Sequence, residues 1–238
     1  MNAGGPQVVL ISGAAGGIGS ALVQAFDAAG WSVAAGWHRT RPAATGSGVF
    51  PVPLDVTEPG SVTAAVSAVL ERWGRLDVWI HNAGNARDHV LPRMAVADWQ
   101  SVVDVHLKGA FLGARAILPA MIRQGGGHII HLASFSGRVG RAGAANYSAA
   151  KAALMGLTQS LARETGPDNI RVNAVSPGYL PTALLGPVTA ADLARHAADN
   201  ALGRINEFDE VARFVVHLAA MRNVSGQLFQ LDSRIARG

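Results

Sequence analysis

The chain has 238 residues, a formal net charge of +4 and no cysteine. The missing thiols exclude disulfides, thiolate zinc sites and a cysteine nucleophile. The modest charge gives little support to a nucleic-acid surface, and no apolar stretch approaches the roughly 20 residues that cross a bilayer. We therefore expect a cytoplasmic protein with no nucleic-acid, membrane or metal partner.

Short apolar runs alternate along the chain with Ala-rich stretches of helical period. The runs predict buried strands at residues 8–11, 33–35, 76–80, 128–132 and 170–175. Strands that alternate with helices form a parallel sheet covered on both faces, which is a doubly wound, Rossmann-like α/β fold. No segment between these units has the composition of a linker, so we expect one domain over residues 1–238.

A glycine-rich segment follows the first predicted strand. Its glycines, Gly13, Gly17 and Gly19, have the spacing G-x-x-x-G-x-G and lead into a helical pattern. Glycine lets the backbone turn tightly and approach a pyrophosphate, whose charge favours a helix N-terminus. The same pattern also fits a turn without a ligand, but its place after the first strand favours a dinucleotide site.

Cofactor choice depends on the end of the second predicted strand, which reads Gly36-Trp37-His38-Arg39-Thr40. A carboxylate there would bind the ribose 2'-hydroxyl of NAD, and a basic residue would bind the 2'-phosphate of NADP. This segment has no carboxylate. Arg39 offers a bidentate fork, with His38 and Thr40 as further donors, so the segment favours NADP(H) over NAD(H).

Tyr147 and Lys151 are four residues apart in a strongly helical stretch, so both project from one helix face. A tyrosine is a poor acid or base near neutral pH, but a nearby ammonium and an oxidised nicotinamide lower its pKa. Ser134 ends a predicted strand at the carboxyl edge of the sheet, where it can orient a substrate carbonyl. Taken alone, a Tyr and a Lys four residues apart are also an ordinary pair on an amphipathic helix.

Several further marks occur in a fixed order: Leu54-Asp55-Val56, Asn82-Ala83-Gly84, Tyr147-x-x-x-Lys151 and Pro177-Gly178. With the glycine segment they resemble the short-chain dehydrogenase/reductase family over nearly the whole chain. Within it, residues 82–99 are most similar to 3-oxoacyl-carrier-protein reductases and acetoacetyl-CoA reductases. Gly16 departs from NADP-using relatives, which often carry a basic residue there.

The resemblance implies a set of cofactor contacts. They are Ser12, Gly13, Ala15, Gly17, Ile18, Gly19, His38, Arg39, Asp55, Val56, Asn82, Ala83, Gly84, Tyr147, Lys151, Pro177, Gly178, Leu180 and Thr182.

The resemblance also implies that Tyr147 is the general acid, that Ser134 stabilises the carbonyl oxygen and that Lys151 holds the nicotinamide ribose. His106 stands where most relatives have an Asn that holds a water in the proton relay. We expect it to keep that role as a fourth catalytic residue, although a structural histidine under the cleft is the alternative. We take His128 and His131 as structural.

The implied substrate is a 3-oxoacyl thioester on acyl carrier protein or coenzyme A. Residues 167–169 lack the Arg with which such relatives dock the carrier, so Arg123 or Arg171 would have to replace it. Residues 179–202 match a substrate lid, in which Leu184, Leu185 and Val188 suggest an apolar ligand portion or plain packing.

The resemblance further implies a homo-oligomer, a tetramer or dimer, although Ser233-Arg234 replace the usual Gly-Gly of the last strand. Two other functions stay open. One is a dehydrogenase of a free alcohol, sugar or steroid, and the other is a non-catalytic cofactor-binding subunit.

Overall fold

The computed structural model describes residues 5–42, 46, 48–182 and 186–235, and within these residues seven parallel strands form one sheet. The strands are β1 Val8–Ile11, β2 Ser32–Trp37, β3 Val49–Pro53, β4 Val78–His81, β5 Gly127–Leu132, β6 Ile170–Ser176 and β7 Leu228–Gln230. Their spatial order is β3-β2-β1-β4-β5-β6-β7. The predicted Rossmann-like α/β fold is therefore confirmed.

Helices cover both faces of the sheet. They are α1 Gly17–Ala28, α2 Pro59–Trp73, α3 Val96–Val103, α4 Gly109–Gln124, α5 Ser136–Val139, α6 Ala145–Thr165, α7 Ala190–Ala198 and α8 Phe208–Ala220. Successive residues of β1 serve opposite faces: Val9 and Ile11 share a buried cluster with α1 and α8, whereas Val8 and Leu10 share one with α2 and α4. Burial on both sides explains why the strands are apolar without alternation.

Four of the five predicted strands contain the residues assigned to them, but β4 begins two residues later than predicted. Side-chain bonds explain the difference. Gln124 donates to the Leu76 carbonyl at 2.8 Å and accepts from the Leu76 N–H at 3.3 Å. Leu76 is buried and apolar, yet its backbone is bound by this side chain instead of by a neighbouring strand.

The strand order reverses beside β1, because β2 lies on one side of it and β4 on the other. Loops that leave the carboxyl ends of the adjacent strands β1 and β4 diverge to opposite faces and open a crevice, the usual ligand position in such sheets. The predicted glycine segment and Asn82-Ala83-Gly84 both begin at this crevice.

Helical residues 96–124 form one continuous segment that is long and apolar enough to cross a membrane. Half of its most apolar window is buried inside the protein, and Leu112, Ile117 and Met121 belong to the core against the sheet. The segment is therefore a core helix of this fold.

The predicted lid lies partly outside the described residues, because Leu184 and Leu185 are not described. The described part contains α7, which begins with a capping box in which Thr189 and Asp192 bind each other's backbone N–H.

Candidate active site

The glycine segment forms a close-packed turn between β1 and α1. Gly13 has a φ of +65°, which favours glycine. A Cβ on Gly19 would lie 2.1 Å from the Gly13 carbonyl oxygen, so no side chain fits there. The first turn of α1 contains no acidic residue, and its partial positive charge therefore remains available to a phosphate.

Ser12 fastens this turn to the end of β4. The buried Ser12 hydroxyl donates to the Ile80 carbonyl at 3.3 Å and accepts from the N–H groups of Asn82 and Ala83 at 3.0 and 3.1 Å. The Asn82 amide donates in return to the carbonyls of Ser12 and Gly13. The Ser12 side chain is thus enclosed and positions the two loops, and a cofactor contact by Ser12 stays a prediction.

A cleft of about 900 Å³ opens at this crevice. Thirteen of the predicted cofactor residues line it: Gly13, Ala15, Gly17, Ile18, Gly19, His38, Arg39, Asp55, Val56, Asn82, Ala83, Gly84 and Thr182. A dinucleotide fits this cleft, because glycine backbone forms its floor beneath the N-terminus of α1 and basic side chains stand at one end.

That basic end is built from the carboxyl ends of β2 and β3. His38 Nε2 lies 3.3 Å from Asp55 Oδ2, and Arg39 is exposed at the rim. Burial alone would raise the pKa of Asp55, but hydrogen bonds from Thr57 and the nearby His38 and Arg39 together lower it. The indole N–H of Trp37, a residue of the cleft wall, is buried and has no partner among the described residues.

Ser134, Tyr147 and Lys151 meet behind the wall of the cleft: Tyr147 contacts His106, which is bonded to the lining residue Asn85, but none of the three lines the cleft itself. The Ser134 side chain lies near the Tyr147 hydroxyl and lowers its pKa. One helical turn later, the buried Lys151 donates from Nζ to the Leu132 carbonyl, and Nζ lies 5.6 Å from the centre of the Tyr147 ring. Gly137 permits this assembly, since a Cβ there would lie 2.8 Å from the backbone of α6.

The pKa shifts of Tyr147 and Lys151 differ from those that the sequence predicts. Burial raises the pKa of Tyr147, and the bond from Ser134 only partly offsets this effect. Burial also lowers the pKa of Lys151 to about 7. The expected lowering of the tyrosine pKa by Lys151 is not found in the ligand-free protein, because both groups lose hydration and the tyrosine's largest perturbation is its own burial.

His106 lies in a π-helical segment, Asp104–Lys108, that joins α3 to α4. Its ring contacts Tyr147 edge-on at 5.1 Å between centres. Nε2 lies 2.8 Å from the Asn85 carbonyl and 3.3 Å from the Asn85 N–H; the shorter contact assigns the proton to Nε2, because a carbonyl oxygen can only accept. Burial lowers the pKa of His106 to about 3, so the ring is neutral and its Nδ1 is a bare acceptor. A Cβ on Gly84 would lie 2.6 Å from this ring, which explains the glycine.

Hydrogen bonds from the Asn206 side chain hold the segment that follows β6. Asn206 donates to the carbonyls of Pro177 and Leu231 at 2.9 and 2.8 Å, and Gly178 has a φ of +85°. Leu180 is 4% exposed and packs in the core, whereas Thr182 reaches the cleft. The Leu180 side chain therefore anchors the segment that carries Thr182, and a cofactor contact by Leu180 stays a prediction.

The comparisons with known proteins agree with this geometry. A family model described as short chain dehydrogenase matches residues 7–193. The chain belongs to the short-chain dehydrogenase family. It is therefore an NAD(P)-dependent oxidoreductase that acts on a carbonyl or hydroxyl group.

Two curated relatives of this short-chain dehydrogenase are named for the same activity. The chain is 36% identical to a 3-oxoacyl-[acyl-carrier-protein] reductase of Thermotoga maritima, with 95% of this chain and 96% of the relative covered. It is 34% identical to the enzyme of the same name from Synechocystis sp., with 95% of each covered.

A solved structure is also similar to this chain. A 3-ketoacyl-(acyl-carrier-protein) reductase from Brucella melitensis, complexed with NADH, has a TM-score of 0.89 at 25% sequence identity. The match covers 96% of this chain and 98% of that one. The relatives thus agree with the fold and with a nicotinamide cofactor.

Sequence reasoning missed part of the wall of this short-chain dehydrogenase. Trp37, Asn85, Ser101, Asp104 and Lys108 also line the cleft. Trp37 adjoins the predicted His38, and Asn85 follows the predicted Gly84, so adjacency was the available signal. The other three come from α3 and the π-helical segment. No local sequence pattern shows which side of a helix faces a cleft.

Proposed function

We propose that this enzyme is a cytoplasmic, NADPH-dependent reductase of 3-oxoacyl thioesters, with Tyr147 as its general acid. The observation that carries the proposal is the convergence of Ser134, Tyr147 and the buried Lys151 behind the wall of a cleft of about 900 Å³, with Lys151 one helical turn after Tyr147. The names of the relatives support the thioester class.

Two hydroxyl groups would hold the substrate carbonyl. An oxygen that settles between Ser134 and Tyr147 would receive hydrogen bonds from both, which stabilises the negative charge that develops on reduction. Burial keeps the pKa of Tyr147 above its usual value, so the phenol holds its proton at neutral pH and can donate it. When bound, the nicotinamide supplies the hydride for the carbonyl carbon.

His106 supports Tyr147 from the side. Because its pKa is about 3, the ring is a poor proton carrier at neutral pH, but its bare Nδ1 can accept a hydrogen bond from a water in the relay. We expect His106→Ala to lower turnover and to shift its pH profile in steady-state assays. Wild-type behaviour in both would remove His106 from the mechanism.

The carrier of the thioester depends on exposed arginines. Arg171, one of two expected replacements for the missing docking residue, donates to the carbonyls of Gly127 and Met221 and is therefore bound within the fold. Arg123 is exposed at the end of α4. If acyl carrier protein is the donor, Arg123 is the better contact; coenzyme A thioesters need no such surface.

The test is oxidation of NADPH with acetoacetyl-CoA, a 3-oxoacyl carrier-protein thioester and a panel of free ketones, sugars and steroids. We expect turnover with the thioesters. Turnover restricted to free carbonyl compounds would replace this proposal by the free-substrate alternative, and tight cofactor binding without any turnover would indicate a non-catalytic subunit.

The same assay tests the cofactor. Loss of a charge-assisted hydrogen bond costs about 1.5–3 kcal/mol, so Arg39→Asp should shift the NADPH-to-NADH ratio of kcat/KM toward NADH by roughly 10- to 100-fold. Arg41→Asp is the matched control, since this exposed arginine is two residues away and outside the cleft wall. Equal shifts in both variants would mean that general charge, not contact by Arg39, sets the preference.

A further inference from the structure

The catalytic lysine stands beside two buried histidines that the proposed mechanism does not use. His81 ends β4, and His131 is its register partner on the adjacent strand β5. The two rings meet edge-on with 6.4 Å between their centres, and both side chains are fully buried. The next residue of β5, Leu132, provides the carbonyl that accepts from Lys151 Nζ.

Hydrogen bonding fixes the tautomer of each ring. Thr158 donates its hydroxyl proton to the Leu154 carbonyl at 2.7 Å, so its oxygen can only accept from His131 Nδ1 at 2.9 Å. His81 Nε2 faces the His106 carbonyl at 3.1 Å and must likewise be the donor. Because a neutral imidazole has one N–H, His81 Nδ1 and His131 Nε2 are left as bare lone pairs.

Those two nitrogens have no partner among the described residues. Both rings are kept neutral by burial, and the charge of Lys151 contributes to the lowered pKa of each. A buried acceptor without a donor is costly, and two of them in adjacent strands, beside the same buried cation, form an unusual arrangement.

Lys151, in contrast, has N–H donors that lack acceptors. An ammonium has three N–H donors, and in the described part of the chain the Leu132 carbonyl is its one hydrogen-bond acceptor. Burial is the sole cause of its lowered pKa, and no carboxylate compensates the charge there. The titratable groups that face it are His81 from β4, His131 from β5, His106 from the π-helical segment and Tyr147 from its own helix.

We propose that His81 Nδ1 and His131 Nε2 accept the spare N–H groups of Lys151 through a bridging water, and so keep this lysine protonated in the folded enzyme. The two histidines are positioning residues, since they act through Lys151. The role ascribed to Lys151 rests on the proposed function, but its protonation is measurable without any substrate. His131 thus differs from His128, with which the sequence analysis grouped it.

His128 is the matched control. It lies on the same strand and is equally buried, with its pKa also lowered to about 3 by burial. Both of its nitrogens are partnered, however: Nε2 accepts from the Asn173 amide at 2.9 Å and Nδ1 faces the Ala219 carbonyl. The nearby charge that acts on it is Arg171 instead of Lys151.

The chain favours the experiment because it contains only two lysines, Lys108 and Lys151. In ligand-free protein labelled at lysine Cε, two resonances are expected, and that of the exposed Lys108 serves as the internal reference. We expect His81→Leu and His131→Leu each to lower the Lys151 midpoint by about one pH unit. His81→Asn and His131→Asn, whose amide oxygen again accepts, should restore it, and His128→Leu should leave it unchanged.

An unchanged Lys151 midpoint in folded His81→Leu and His131→Leu would overturn the proposal. If those variants do not fold, the wild-type protein decides: ring nitrogens labelled with ¹⁵N should report His81 Nδ1 and His131 Nε2 as hydrogen-bonded, and both should respond when Lys151 deprotonates. Failure of all carbonyl substrates would refute the proposed function and leave this titration intact.

Discussion

Tyr147→Phe is expected to lower kcat for thioester reduction by roughly 10²- to 10⁴-fold, the usual contribution of a general acid. The variant removes the proton donor, which is the hydroxyl near Ser134, but it keeps the ring that contacts His106. Cofactor binding, measured by NADPH fluorescence, should therefore change little. Thermal unfolding should shift by no more than about 1 kcal/mol, the net value of one hydrogen bond.

Ser160→Ala provides the control for this experiment, because it removes a hydroxyl from the exposed side of the same helix α6. Its turnover should equal that of the wild type. If Tyr147→Phe kept more than a tenth of the wild-type kcat, the proton would have to come from another group and Tyr147 would lose its assigned role.

Acid should unfold this protein steeply between about pH 6 and pH 4. His81, His106, His128 and His131 are neutral when folded because burial holds their pKa values far below the usual 6.5, to about 3 for the last three. The unfolded chain therefore binds more protons at any pH below about 6.5, and the free energy of unfolding falls as the pH falls through that window. Four such groups give a slope of up to about 5 kcal/mol per pH unit.

Denaturant unfolding at a series of pH values measures this slope. His128→Leu should reduce it by one proton, which is about 1.4 kcal/mol per pH unit, since Leu has nothing to titrate. A stability that stays flat from pH 6.5 to pH 4 would mean that the buried rings are already protonated in the native protein, contrary to the burial that the structure assigns them.

The sheet and most of its strands follow from the sequence because their causes are local. Apolar runs of four to seven residues are what a strand buried on both faces requires, and residues 8–11 are strand β1 as predicted. The start of β4 was missed because Leu76 is bound by Gln124, a residue far along the chain. A side chain that competes for backbone groups leaves no sign in the apolar pattern.

Most of the cleft wall was predicted for a similar reason. Gly13 and Gly19 must be glycine because of their backbone and their close neighbours, and such requirements leave visible spacing in the sequence. Ser12 and Leu180 show the limit of that reasoning. A position beside a motif does not say whether the side chain faces the ligand or the core, and both of these are buried.

The sequence by itself determined the fold, the family marks and the pairing of Tyr147 with Lys151, because an i, i+4 spacing on a helix fixes proximity without help from the rest of the chain. Only the tertiary structure decided the charge states around that pair. Strands β4 and β5, helix α6 and the π-helical segment converge there, and their joint exclusion of water raises the pKa of Tyr147 and lowers those of Lys151, His81 and His131. Desolvation depends on every element that surrounds a group, and no single segment of sequence contains it.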